Sequence, residues 1–397
     1  MSACASSCPR FFAAAVRLFA RVSSEIKART VAALPGLAIA VFSAAALADR
    51  TESLTSGDGD AGHCQSFQNT RPLCFFSNPE DLALVPGDTA LIVSEYGDHY
   101  GTQPGALVFY DYEKQQRRVA YDIFDTSRPA QYWGESACTQ PPGKLFSPHG
   151  IDLSQRTDGR WQLLVVQHGG RESVEFFELT GTGDDLKLMW RGCALAPEKA
   201  SLNSVASGHD DEFFTTKMVS TDVSWQGEQI DPQRPTGLVY RWSKHSGFEP
   251  VPGSEGVMPN GIAASSDRST IYVVYSGENL LKKIDAKSGT VLAATTVRAA
   301  DNVKWSADGK SLVAASFVGS ASTADFTRCG SSDIGICPIP FAVVELDPGS
   351  LSQTKLFENP DAPMGAGTVG LKVGSTLFIG TFSGNRILQV DLSQAQE

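Results

Sequence analysis

From Asn78 onward short apolar runs alternate with Ser/Asp/Gly turns, and the pattern recurs. Each recurrence opens on a polar residue, and two positions later an aliphatic residue begins a short strand. Glu80 precedes Leu82, His149 precedes Ile151, Asn203 precedes Val205, Asn260 precedes Ile262 and Asp301 precedes Val303. A sixth recurrence has Gly367 in the polar position before Val369. Turns such as Pro86-Gly87-Asp88 and Ser306-Ala307-Asp308-Gly309 follow, then stronger runs such as Ile271-Tyr272-Val273-Val274-Tyr275. β-Branched and aromatic residues bounded by turn formers read as strands. Further runs, among them Val174-Glu175-Phe176-Phe177 and Ile387-Leu388-Gln389-Val390, complete the units, and no long helical period appears. Six irregularly spaced units of small antiparallel sheets predict an all-β, six-bladed β-propeller over residues 78–397, with its insertions in loops. A pair of irregular β-sandwiches is the competing architecture.

Composition supports this picture. The chain has 397 residues, 42% of them hydrophobic, with 37 Gly and 21 Pro, which favours many strands and turns. A formal net charge of −11 is unlike a nucleic-acid-binding face, which needs clustered cations. The first 48 residues differ in kind. They carry Arg10, Arg17, Arg21, Lys27 and Arg29 against Glu25 alone, then an apolar run ending in Ala46-Leu47-Ala48. That is the form of an export signal with a small-residue cleavage site; a retained membrane anchor is the alternative, disfavoured by Pro35-Gly36. Residues 49–77 show no period and are expected to form an N-terminal arm. The mature protein is expected to be exported, periplasmic or secreted, and away from the membrane after signal removal.

Cysteine usage fits export. Cys64, Cys74, Cys138, Cys193, Cys329 and Cys337 remain after the leader, an even number suited to disulfides in an oxidising compartment. Short separations favour Cys64–Cys74 and Cys329–Cys337, leaving Cys138 with Cys193. No pair has the tight C-x-x-C spacing of structural zinc.

In a propeller the innermost strands run beside the axis, so equivalent strand starts converge. Here Glu80, Asn203, Asn260, Asp301 and the adjacent Asn302 would bring carboxylate and amide oxygens to one point. Hard cations of flexible coordination, above all Ca²⁺, suit such donors, whereas zinc and copper favour His or Cys. Turn capping by the same residues is the plain alternative. His149 shares the register but is a poor calcium ligand and better suited to proton transfer. His168, on the next strand of the same blade, is expected to approach it across the hairpin. No G-x-S-x-G elbow, Walker loop, Rossmann fingerprint or H-E-x-x-H helix is present.

Taken in order, Pro79-Glu80-Asp81-Leu82, Pro148-His149-Gly150-Ile151, Leu202-Asn203, Asn260-Gly261-Ile262, Asp301-Asn302-Val303 and Leu377-Phe378-Ile379-Gly380-Thr381 resemble the calcium-dependent six-bladed propellers of the paraoxonase/arylesterase and senescence-marker-protein/gluconolactonase superfamily. The paraoxonase branch is the nearer. The resemblance implies a catalytic calcium held by Glu80, Asn203, Asn260, Asp301 and Asn302, a His149/His168 dyad, and a possible base role for Glu80. It also implies a second, structural calcium drawing on Asp81 and the Ile151 carbonyl, although Ser204 stands where the family has a second Asp. The family's long-range disulfide lacks its C-terminal half, Val390 standing there.

The expected function is therefore calcium-dependent hydrolysis of a small-molecule lactone or aryl ester, with the metal polarising the carbonyl and His149 activating water. A gluconolactonase-like sugar-lactone hydrolase, or a non-catalytic exported propeller with a structural calcium, are the alternatives. Tyr96, Tyr132, Trp133 and Trp225 are candidates for the pocket wall or for loop anchors.

Overall fold

The structure, a computed structural model, describes residues 64–397 except 88, 98–101, 126, 223–230, 232, 320–328, 330–335, 338, 360–362 and 395–397. The expected signal segment 1–48 and Trp225 lie outside the described residues. Among the described residues the strands assemble into six four-stranded antiparallel sheets, five in meander order and the sixth combining the last three strands with the first, and the expected all-β six-bladed propeller is observed.

Alternation along each strand explains how the blades stack. In a strand successive side chains face opposite sides, and here both sides meet a neighbouring blade. Leu82, Leu91 and Val93 pack with Val369, Leu371 and Phe378 of the last blade. The intervening Ala83 and Ile92 pack with Ile151, Leu163 and Val165 of the next. Middle strands are therefore buried on both faces and read as continuous apolar runs, as in Ala90–Glu95 and Thr270–Tyr275. Val291–Thr296, a fourth strand, meets solvent, is largely exposed and loses that signature.

Closure joins the two ends of the described chain. Thr70–Leu73 pairs antiparallel with the last strand, Thr70 opposite Val390 and Leu73 opposite Ile387, and so supplies the outer strand of the sixth sheet. This segment belongs to the expected N-terminal arm, whose apolar residues Leu73 and Phe76 enter the core between the last and first blades. The disulfides are Cys64–Cys74, Cys138–Cys193 and Cys329–Cys337, the pairing favoured by sequence separation and one typical of oxidising compartments. Among the described residues no helix is long and apolar enough to cross a membrane.

The six innermost strands are Pro79–Leu84, Pro148–Gln155, Ala200–Ser207, Pro259–Ala264, Ala300–Trp305 and Gly367–Val373. Every one has a register irregularity near its start: between Pro79 and Asp81, Pro148 and Ile151, Leu202 and Val205, Pro259 and Ile262, Ala300 and Val303, and Gly367 and Val369. A bulge frees a residue from the ladder and re-aims it, and these bulges contain the polar positions of the repeat. The sixth blade corrects the sequence register. Its bulged residue is Thr368 rather than Gly367, and the Thr368 hydroxyl donates to the Glu80 backbone carbonyl at 2.8 Å.

Candidate functional site

The bulged residues converge at one end of the axis. Glu80, His149, Asn203, Asn260 and Asn302 are buried, and Asp301 is half-buried beside them. Two glycines permit the approach. A Cβ on Gly150 would lie 2.6 Å from the Asn203 carbonyl oxygen, and one on Gly261 would lie 2.6 Å from the Asp301 carbonyl oxygen and Asn302 Cα. The glycines of Pro148-His149-Gly150 and Pro259-Asn260-Gly261 are thus what let adjacent inner strands close on the centre.

The amides are oriented alike. Asn302 Nδ2 donates to Glu80 Oε1 at 2.6 Å, and Asn203 Nδ2 lies 3.3 Å from Met218 Sδ. Asn260 hydrogen-bonds to the Asp301 carboxylate through its side chain. With their N–H groups so engaged, Asn203 Oδ1, Asn260 Oδ1 and Asn302 Oδ1 are left buried without a hydrogen-bond partner, as is Glu80 Oε2. A buried acceptor without a partner carries a desolvation penalty of roughly 1–3 kcal/mol, so four at one place call for a shared donor or a cation. These oxygens, together with Asp301, are the groups able to hold a hard cation here. Among the described residues no cluster of three or more His, Cys, Asp or Glu is placed to hold a metal, which leaves the mixed carboxylate–amide set as the donor group to consider.

The electrostatics follow from packing acids together. Burial first, and then the nearby Glu80 charge, push the Asp301 carboxyl up to about 8. For His149, burial opposes the charged form, but the Glu80, Asp301 and Asp81 carboxylates together outweigh it and the imidazole is raised above its usual value. His149 Nε2 lies 3.6 Å from Glu80 Oε1.

The two histidines are brought together as expected. His168 directly follows the strand Trp161–Gln167, and its Nε2 lies 2.9 Å from His149 Nδ1. A third member, missed in the sequence, continues the line: His168 Nδ1 lies 2.8 Å from Glu172 Oε2, and Glu172 Oε1 accepts the Leu202 backbone N–H at 2.6 Å. This order sets the tautomers. A carboxylate only accepts, so His168 carries its proton on Nδ1 and accepts at Nε2. His149 must then donate from Nδ1, and in its neutral form the Nε2 lone pair is left toward Glu80 and the cavity. Tyr96 stacks on His149 with ring centroids 4.6 Å apart.

The cavity above this cluster has a volume of about 470 Å³. Its walls are Tyr96, Met218, Met258, Phe317 and Phe382, over a floor containing Glu80, His149, Asn203, Asn260 and Asp301. Among the described residues, Tyr96 is the one aromatic candidate that lines it. Trp133 is instead a fully buried anchor with the Arg156 guanidinium 4.7 Å above its ring, and Tyr132 packs on Trp190. Met218 and Phe317 give no sequence signal beyond being apolar residues at strand ends. For Glu172 the only hint was its place four residues past His168 in a Gly-Gly turn.

The second-ion positions, Asp81 and the Ile151 carbonyl, are also adjacent, but a side chain lies between them. Lys304 Nζ is 2.7 Å from Asp81 Oδ2 and donates to the Ile151 carbonyl.

No protein-family model matches the chain, and no curated protein matches it. Solved structures resemble it at low identity. A gluconolactonase from Xanthomonas campestris is 16% identical with a TM-score of 0.46, covering 81% of this chain and 89% of its own. Regucalcin, a calcium-binding protein from Agrobacterium tumefaciens, is 13% identical with a TM-score of 0.43, covering 80% and 90%. The β-propeller domain of Cps50 (Swd1) from Myceliophteria thermophila is 11% identical with a TM-score of 0.42, covering 81% and 99%. Likenesses this distant assign no activity.

Proposed function

We propose that this protein is a calcium-dependent hydrolase of lactones or aryl esters, acting at the upper end of the propeller axis. One observation carries the proposal: Glu80, Asn203 and Asn260, each with an unpartnered buried oxygen, line one apolar-walled cavity together with His149, whose Nδ1 is tied through His168 to Glu172. A structural ion alone would not require an oriented base beside it.

Calcium held by Glu80, Asn203, Asn260, Asp301 and Asn302 would act as a Lewis acid toward a carbonyl oxygen. The protein's own groups supply the rest. Met218, Met258, Phe317 and Phe382 take up the apolar part of the substrate and exclude bulk water. His149 Nε2 accepts a proton from a water whose oxygen adds to the carbonyl carbon. Glu172, through His168, keeps that lone pair available and stabilises the charge as it appears on His149. When the carbon–oxygen bond breaks, His149 returns the proton to the leaving oxygen. For a lactone that oxygen is the ring oxygen, and the product is a hydroxy acid. Glu80 is the second base candidate, being 3.6 Å from His149 Nε2 with its own Oε2 free of hydrogen bonds.

The apolar walls favour an alkyl or aryl substrate over a polyhydroxylated sugar lactone, whose hydroxyls would need polar partners. The test is hydrolysis of a panel of γ- and δ-lactones, a sugar lactone and phenyl acetate, with and without EDTA. EDTA-sensitive turnover lost in His149→Gln supports the proposal. No turnover on any substrate in saturating calcium would refute it in favour of a binding propeller.

A further inference from the structure

Below the upper cluster a lysine side chain bridges inner strands of different blades. Lys304 comes from the inner strand Ala300–Trp305 of the fifth blade and is buried. It reaches across the axis to the first two blades, with Nζ 2.7 Å from Asp81 Oδ2 and bonded to the Ile151 carbonyl. Asp81 is fully buried and both its oxygens are engaged: Oδ2 also accepts the Ile151 N–H at 2.7 Å, and Oδ1 accepts the Leu82 N–H at 2.8 Å. Beneath it a second cavity of about 410 Å³, lined by Lys304 and by the far ends of the inner strands at Leu84, Ser154 and Ala264, forms the opposite mouth.

We propose that the Lys304 ammonium is a resident cation that fills the Asp81–Ile151 cage in place of a second metal ion. A buried carboxylate needs a counter-charge. The cage offers one negative charge, from Asp81, and one carbonyl dipole. Ser204 is also buried, and its Oγ has no partner, but a hydroxyl adds no charge. A single ammonium with directed N–H donors therefore matches the cage, whereas a divalent ion beside that ammonium would be repelled. The count also balances along the axis. The three carboxylates of Glu80, Asp81 and Asp301 are neutralised by Lys304 plus one divalent ion. That the upper cluster holds an ion rests on the function proposed above; the exclusion of an ion at Asp81 does not. Because this cation is tethered covalently, chelators cannot remove it, and the lower axis stays assembled without metal.

Calcium binding to the full chain, measured by calorimetry and by metal analysis after dialysis, tests this. Wild type is expected to bind one ion per chain, and Lys304→Ala one more than wild type. The extra ion should disappear in Lys304→Ala/Asp81→Asn. Lys304→Ala should melt at a lower temperature in EDTA and recover in millimolar calcium, while Lys304→Arg should gain no ion. Two ions on wild type, or no gain in a folded Lys304→Ala, would overturn the proposal. None on wild type and one on Lys304→Ala would sustain it while refuting the upper ion. If Lys304→Ala folds at no calcium concentration, the wild-type count decides: two overturns, one or none sustains.

Discussion

Glu172 Oε2 lies 2.8 Å from His168 Nδ1, while the other oxygen of the same carboxylate accepts the Leu202 backbone N–H. The third blade's inner strand thus holds the acid that orients the second blade's histidines. If the line of Glu172, His168 and His149 fixes the reactive tautomer, Glu172→Gln should lower kcat by about 10- to 100-fold with little change in KM. The rate profile on the rising side should also move in pH, which a purely structural defect would not produce. His149→Gln removes the base itself and should cost about 10²- to 10⁴-fold in kcat. Steady-state kinetics across pH on the folded variants separates the two.

Metal affinity should respond to neutral oxygens as well as charged ones. Asn260→Ala removes an oxygen that no protein group satisfies and with it the side-chain hydrogen bond to Asp301, so melting in EDTA should fall modestly. Calcium affinity should fall by about 10- to 100-fold, read by calorimetric titration on the folded variant.

The ion-free protein should also be sensitive to pH. Burial and the Glu80 charge push Asp301 up to about 8, from 3.8 when unfolded. Between these values the folded chain holds a proton that the unfolded chain has released, so stability is greatest below the lower value and is lost as pH rises through the upper one. Melting temperature in EDTA should therefore fall from about pH 4 to pH 8, the raised Asp81, Glu95, Glu175 and His149 acting in the same direction. Calcium, by compensating the ionised carboxylate, should flatten that slope. Parallel thermal melts with and without calcium read both effects.

Cys138 and Cys193 tie the segment ahead of the second blade to that blade's outer strand across a separation of 55 residues. The paired change Cys138→Ser/Cys193→Ser should destabilise the protein by about 2–4 kcal/mol while leaving the sheets intact. Urea unfolding with an unchanged slope would show that only stability had moved.

Much of this protein is determined locally. A strand's face is set by period-2 alternation, so apolar runs with Ser/Asp/Gly turns were enough to read six sheets. They also identified Glu80, His149, Asn203, Asn260 and Asp301 as one recurring position. Short separations pointed to Cys64–Cys74 and Cys329–Cys337, and Cys138–Cys193, 55 residues apart, followed only as the remaining pair. The register of the sixth blade was misread, because a one-residue bulge at Thr368 and a two-residue bulge at His149 look alike when only the next aliphatic residue is counted. What ring closure decides lay beyond any local pattern. Lys304 meets the Ile151 carbonyl across 153 residues of sequence, Met218, Phe317 and Phe382 share a wall from separate blades, and Glu172 meets Leu202 between blades. The sequence by itself determined which residues turn toward the axis, since that is a property of each strand. Only the tertiary structure decided which of them touch there, since six strands converge on one point and every contact is a choice among partners distant in the chain.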